Sequence, residues 1–153
     1  MSKSKFFVSY DNYLKKVNQI ADELKKEIRD VHLIALYRGG LPIGVHLSNK
    51  LNVPLSIIDF QTRDVVGFTK YNEPQLIKNA GIKSNELLVI VDDIYDTGLT
   101  LENVRDFLFE EFPNNPVIGY ALYRNEKNQK FDLPWVKTFA DNGDKWVVFP
   151  WEV

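Results

Sequence analysis

Leu87–Thr100 reads LLVIVDDIYDTGLT: an apolar run, two adjacent acids, a third acid three positions on, and a Thr/Gly turn. The run Leu87–Val91 is expected to be a short buried strand, with Asp92, Asp93 and Asp96 at its carboxyl end. Thr97-Gly98-Leu99-Thr100 then forms a tight loop leading into a helix. Unpaired amides and the helix dipole at such a start favour a phosphate. Three carboxylates beside a phosphate repel it unless something compensates. Sugar hydroxyls donating to the acids, together with a bound Mg²⁺, do both jobs. The stretch therefore points to a ribose 5-phosphate that carries a metal-bound polyphosphate.

Working outward, the pattern alternates strand and helix. Tyr10, Tyr13, Leu14, Val17, Ile20, Ala21, Leu24 and Ile28 recur at helical steps, with Ser9 or Asp11 as cap. Val31–Tyr37 is an apolar strand ending at Arg38-Gly39-Gly40, and Pro42 suits the first turn of a helix over Leu41–Leu51. Leu55–Phe60 reads as a strand, and Thr100–Phe112 as a helix with Leu101, Val104, Leu108 and Phe112 on one face. Val117–Tyr123, Val136–Ala140 and Trp146–Phe149 are further strands. This alternation predicts an α/β fold with a mainly parallel, helix-covered sheet. Residues 61–83 are polar and aperiodic, and are expected to form a flexible lid.

Composition limits the classes open to the chain. Its 153 residues suit one domain with a substantial core, and 44% hydrophobic and 26% charged content is ordinary for a globular protein. A formal net charge of −2 gives no basic excess for nucleic acid or an anionic membrane. With no cysteine, disulfides, thiolate catalysis and cysteine-bound zinc are excluded. No apolar run approaches the roughly 20 residues of a membrane span, and the start of the chain lacks a signal-peptide core. A cytoplasmic protein is expected.

Other chemistries fit the acids less well. A plain acidic turn is the bland alternative, since Asp is common in turns, and a Walker loop needs a lysine after the glycine. Receiver domains put their acids on separate strands, and haloacid-dehalogenase-type phosphatases space theirs differently. Arg38-Gly39-Gly40 falls at the carboxyl end of a parallel strand, on the sheet edge that carries the acids. There the glycines admit close approach and the arginine can fork onto phosphate oxygens. His32 and His46, with no acidic partner nearby in sequence, are read as structural or exposed. Phe6, Phe7 and Trp135 are candidates for an interface or for the core.

Val91–Thr100 resembles the 5-phosphoribosyl diphosphate (PRPP) motif of type I phosphoribosyltransferases, and the similarity runs through the whole chain. Within that family the sequence is most similar to short 6-oxopurine enzymes, the xanthine–guanine phosphoribosyltransferases. The shared features are Tyr10-Asp11, Arg38-Gly39-Gly40 and the stretch Trp146-Val147-Val148-Phe149-Pro150-Trp151-Glu152. The resemblance implies the type I fold with a small C-terminal hood over about 124–153, in a single domain spanning 1–153. It implies a Mg²⁺-dependent transferase making nucleoside 5′-monophosphate and pyrophosphate from PRPP and a base, and assembly as a homodimer or homotetramer. It assigns the ribose hydroxyls and metal to Asp92 and Asp93, and the purine N7 region and proton movement to Asp96. The 5′-phosphate goes to Thr97, Gly98, Leu99 and Thr100, and pyrophosphate to Arg38 and Gly39. Trp146 would stack on the base and the Val147 backbone would meet its edge, with Glu152 a further candidate metal contact.

Three departures qualify the resemblance. Arg124 stands where these purine enzymes place a lysine against the 6-oxo group. Gln61-Thr62 replaces a Ser-Tyr pair in the lid, and no C-terminal extension is expected after the Trp-acid end. A different reading is a non-catalytic PRPP or nucleotide sensor on the same fold, or a transferase for another base. The net charge of −2, with no helix-turn-helix segment expected, and the presence of Arg38 favour the purine enzyme.

Overall fold

The computed structural model describes residues 3–60 and 73–152. Eight strands occur among them: β1 (Lys5–Phe7), β2 (Val31–Tyr37), β3 (Leu55–Asp59), β4 (Gln75–Lys78), β5 (Leu87–Tyr95), β6 (Val117–Arg124), β7 (Val136–Asp141) and β8 (Trp146–Val148). The helices are α1 (Tyr10–Leu24), α2 (Leu41–Leu51) and α3 (Leu99–Glu111). The main sheet has the order β4-β3-β2-β5-β6-β7, and β4 alone is antiparallel to its neighbour.

Apolar runs on β2 and β5 make both strands central, because each can be covered on both faces. Along β2, Leu33 and Ala35 turn towards α1 and α2 and join Val17, Ile20, Ile43 and Leu47 in one core. Ile34 and Leu36 turn to the opposite face and meet Leu101, Val104 and Leu108 of α3. This period-two division is what a strand between two helical layers requires. α1 starts at Ser9, whose side chain accepts the Asn12 amide at 3.1 Å.

From β2 the chain steps outward to β3, whereas β5 leads the other way to β6 and β7. The carboxyl ends of β2 and β5 therefore flank a crevice where connections diverge, the usual ligand position in such sheets. A second, two-stranded sheet pairs β1 with β8 in parallel, with Phe6 opposite Val147. It forms the hood. Phe149 is fully buried beneath it, edge-on to Tyr123 and stacked on Trp151 at 4.9 Å.

Several local expectations change. β5 continues past Val91 to Tyr95, because Asp92, Ile94 and Tyr95 keep pairing with Ala121, Tyr123 and Arg124 of β6. Within 61–83, Gln75–Lys78 forms the edge strand β4. Residues 61–72 of the expected lid, including Gln61 and Thr62, lie outside the described residues. His32 is structural, as expected, but it has an acidic partner far away in sequence. It is fully buried, with Nδ1 at 3.3 Å from Glu86 Oε1 and Nε2 at 2.7 Å from Ser56 Oγ. Among the described residues no helix is long and apolar enough to cross a membrane.

Candidate active site

A cleft of about 600 Å³ opens at the carboxyl ends of β2 and β5, beneath the hood. Its walls bring together Arg38 and Gly39, the acids Asp92, Asp93 and Asp96, residues Thr97 to Thr100, Trp146, Val147 and Glu152. All but one of the site residues expected from sequence meet there, although they span more than a hundred positions of chain.

The loop after β2 lies against the acid pair. A methyl group on Gly39 would stand 2.4 Å from Asp93 Cγ, and one on Gly40 would stand 2.1 Å from the Val91 carbonyl oxygen. Only glycine allows this approach. The peptide bond between Tyr37 and Arg38 is cis. Arg38 itself is exposed, its side chain available to the cleft.

The acids are fixed by the backbone that follows them. Asp92 Oδ1 accepts the Asp93 amide at 2.9 Å, and Asp93 Oδ1 accepts the Ile94 amide at 2.8 Å. Burial pushes the Asp93 carboxyl above the ordinary carboxylate range, and the nearby Glu152 carboxylate pushes it further, against these hydrogen bonds. Glu152 is held in place by the Phe149 amide, 3.0 Å from its Oε1. Asp96 accepts from Asn128 Nδ2 at 2.7 Å.

The Thr/Gly turn delivers α3 to the cleft. Gly98 caps that helix at φ +92° without a side-chain acceptor, and Thr97 Oγ1 accepts the Leu99 amide at 3.2 Å. The positive end of the α3 dipole thus opens on the cleft, where an anion is favoured. Behind the turn, Thr97 O accepts the amides of Lys130 and Phe131, and the Tyr95 hydroxyl donates to Phe131 O and accepts the Leu133 amide.

On the hood side Trp146 is half exposed within the cleft and Val147 is buried. Arg124 is the expected residue that the lining omits. It ends β6 with its guanidinium paired to Glu126 at the surface. Conversely, Lys3, Phe60, Asn125, Asn142 and Lys145 line the cleft unforeseen. Asn125 carries the one local signal, since it follows Arg124 directly. Lys3 carries none, because its place depends on β1 pairing with β8.

The cleft can receive a ribose phosphate at the acids and the α3 start, a second anion at Arg38, and a flat ring at Trp146. Among the described residues, no group of three or more His, Asp or Glu forms a metal cage. Asp92 and Asp93 nevertheless suit a divalent cation that draws its other oxygens from a bound polyphosphate. Burial, and to a smaller degree the charge of Glu152, disfavours the Asp93 carboxylate, and a cation there would offset both.

Residues 9–153 match the family model described as the phosphoribosyl transferase domain. The chain is 25% identical to the xanthine-guanine phosphoribosyltransferase of Idiomarina loihiensis over 99% of its own length and 89% of that relative. It is 34% identical to the hypoxanthine phosphoribosyltransferase of Haemophilus influenzae, covering 73% of this chain and 64% of that one. The structure of a purine phosphoribosyltransferase from Pyrococcus horikoshii superposes with a TM-score of 0.77 at 28% identity, over 97% of this chain and 95% of that one.

Proposed function

Since the chain belongs to the phosphoribosyl transferase family, we propose that it transfers the phosphoribosyl group of PRPP to a 6-oxopurine. Guanine, xanthine or hypoxanthine would yield the nucleoside 5′-monophosphate and pyrophosphate, a purine-salvage reaction. The observation that carries this reading is the meeting of three separate segments on one cleft: the acid and Thr/Gly stretch, the Arg38-Gly39 loop and the Trp146-Val147 hood.

Each segment has a part in the transfer. Asp92 and Asp93 accept hydrogen bonds from the ribose 2′- and 3′-hydroxyls, which fixes the sugar and sets C1′ in the cleft. Thr97 to Thr100 and the α3 N-terminus hold the 5′-phosphate. Arg38 and the Gly39 backbone hold the pyrophosphate as the C1′–O bond breaks. Trp146 stacks on the purine and presents N9 to C1′, and the Val147 backbone meets the base edge. As the N9–C1′ bond forms, Asp96 takes up the proton that the purine releases at N7. The reaction centre becomes cation-like, so most of the rate comes from positioning and from carboxylates that stabilise positive charge.

Mg²⁺ bound at Asp93 and Asp92, with Glu152 beside them, would neutralise the departing pyrophosphate. The Arg124–Glu126 pair is exposed and costs about 0–1 kcal/mol to open, and we assign the freed guanidinium to the 6-oxo group. We also place the protein in the cytoplasm, as a homodimer or homotetramer.

The test is a panel of bases with PRPP and Mg²⁺: guanine, xanthine and hypoxanthine against adenine, uracil and orotate. Turnover confined to the first three supports the reading. Turnover of another base alone, or of none, contradicts it.

A further inference from the structure

The base end of the cleft is held from outside by contacts that meet on one carboxylate oxygen. Asp144 Oδ1 accepts from Lys3 Nζ at 2.9 Å and from Asn125 Nδ2 at 3.2 Å. Lys3 and Asn125 both line the cleft, whereas Asp144 stands behind it. The three residues come from separate parts of the fold. Lys3 precedes β1, Asn125 follows β6, and Asp144 lies in the turn between β7 and β8, two positions before Trp146.

Each contact leads on to the site. Asn125 donates its amide to Tyr95 O at 3.0 Å, which ties it to the end of the strand carrying the acids. Next to Lys3, Ser4 O accepts the Trp146 amide at 2.9 Å, and Lys5 pairs in register with Trp146. The turn is closed internally by Asn142, whose Nδ2 donates to Lys145 O at 2.8 Å and whose amide donates to Arg124 O at 3.1 Å. Asp144 thus joins the segment before β1, the residue after β6 and the turn that delivers Trp146.

We propose that Asp144 is a positioning residue for base binding, which latches the hood turn to Lys3 and Asn125 and thereby fixes the height of Trp146 over the purine. The proposal rests on the purine-transferase reading of the cleft. The hydrogen bond from Lys3, followed by that from Asn125, holds the Asp144 carboxyl below the ordinary range, as expected of an engaged carboxylate. The backbone conformation at Asp144, φ +66°, makes the side-chain deletion clean. Glycine adopts it freely and asparagine tolerates it, so Asp144→Gly and Asp144→Asn change the latch without straining the turn.

The experiment compares wild type, Asp144→Gly and Asp144→Asn in KM for the base, KM for PRPP and kcat, together with hydrogen exchange at the Trp146 amide. Asp144→Gly removes one exposed ion pair and one charge-assisted hydrogen bond, and is expected to raise base KM roughly threefold to tenfold. KM for PRPP and kcat stay within about twofold, since the acids and the α3 start are untouched. Asp144→Asn keeps the acceptor for Asn125 and falls between the two. Exchange at Trp146 quickens in Asp144→Gly, because the turn opens locally. An unchanged base KM in an active enzyme, or an equal rise in both KM values, overturns the proposal. Should the wild type turn over no base, the function reading fails separately. The latch is then judged on exchange alone, where an unchanged Trp146 amide overturns it and a quickened one upholds it as a device of the fold.

Discussion

Gly39 and Asp93 are packed so closely that the space a Cβ would take on Gly39 is already filled by the Asp93 carboxylate, 2.4 Å away. The loop proposed to hold pyrophosphate and the acids proposed to hold ribose are therefore in van der Waals contact, so a side chain added to one displaces the other. Gly39→Ala must displace Asp93 or the loop. A displacement of this order lowers kcat/KM for PRPP by about 10²-fold, and steady-state kinetics at saturating base measures it.

Asp96 lines the cleft and accepts from Asn128 Nδ2, a bond that an asparagine oxygen at position 96 can still accept. Asp96→Asn consequently keeps the local geometry but loses the proposed proton acceptor. Turnover is expected to fall by roughly 10²–10⁴ with little change in PRPP affinity. Single-turnover kinetics beside PRPP titration separates the two.

Trp146 is 50% exposed, so its loss costs little stability and the effect should be confined to the base. Removing the stacking surface in Trp146→Ala costs about 1–3 kcal/mol of base binding, by analogy with aromatic platforms for nucleobases. KM for the purine rises accordingly while KM for PRPP holds.

His32 sets a pH dependence of stability. Burial lowers its pKa, and the Glu86 carboxylate only partly offsets this. The unfolded chain takes up a proton near pH 6.5 while the folded chain resists it. His32 therefore contributes nothing to the slope above about pH 6.5, and stability declines as pH falls from there towards the lower folded-state pKa. Urea unfolding between pH 5 and 8 should show that decline, and His32→Gln should flatten the difference.

How much of this was legible in the chain depended on how local each signal was. The α2 helix was readable from Pro42 and the apolar spacing after Arg38-Gly39-Gly40, and it spans Leu41–Leu51 as expected. The acid and Thr/Gly stretch was readable because every group it needs lies within ten residues. The extent of β5 was not, since Asp92 and Tyr95 stay in the ladder only through partners on β6 some thirty positions away. β1 is three residues long and has meaning only beside β8, at the other end of the chain. His32 and Glu86 are 54 positions apart, and no periodicity links them. Asp144 carries no signal in the sequence, because only the fold brings Lys3 and Asn125 to it.

The most direct test of the central claim is to supply purified protein with PRPP, Mg²⁺ and hypoxanthine, and to measure inosine 5′-monophosphate and pyrophosphate together. The two products are expected in equal amounts, with both nearly abolished in Asp96→Asn. Pyrophosphate without nucleotide, or an Asp96→Asn variant as active as wild type, would contradict it.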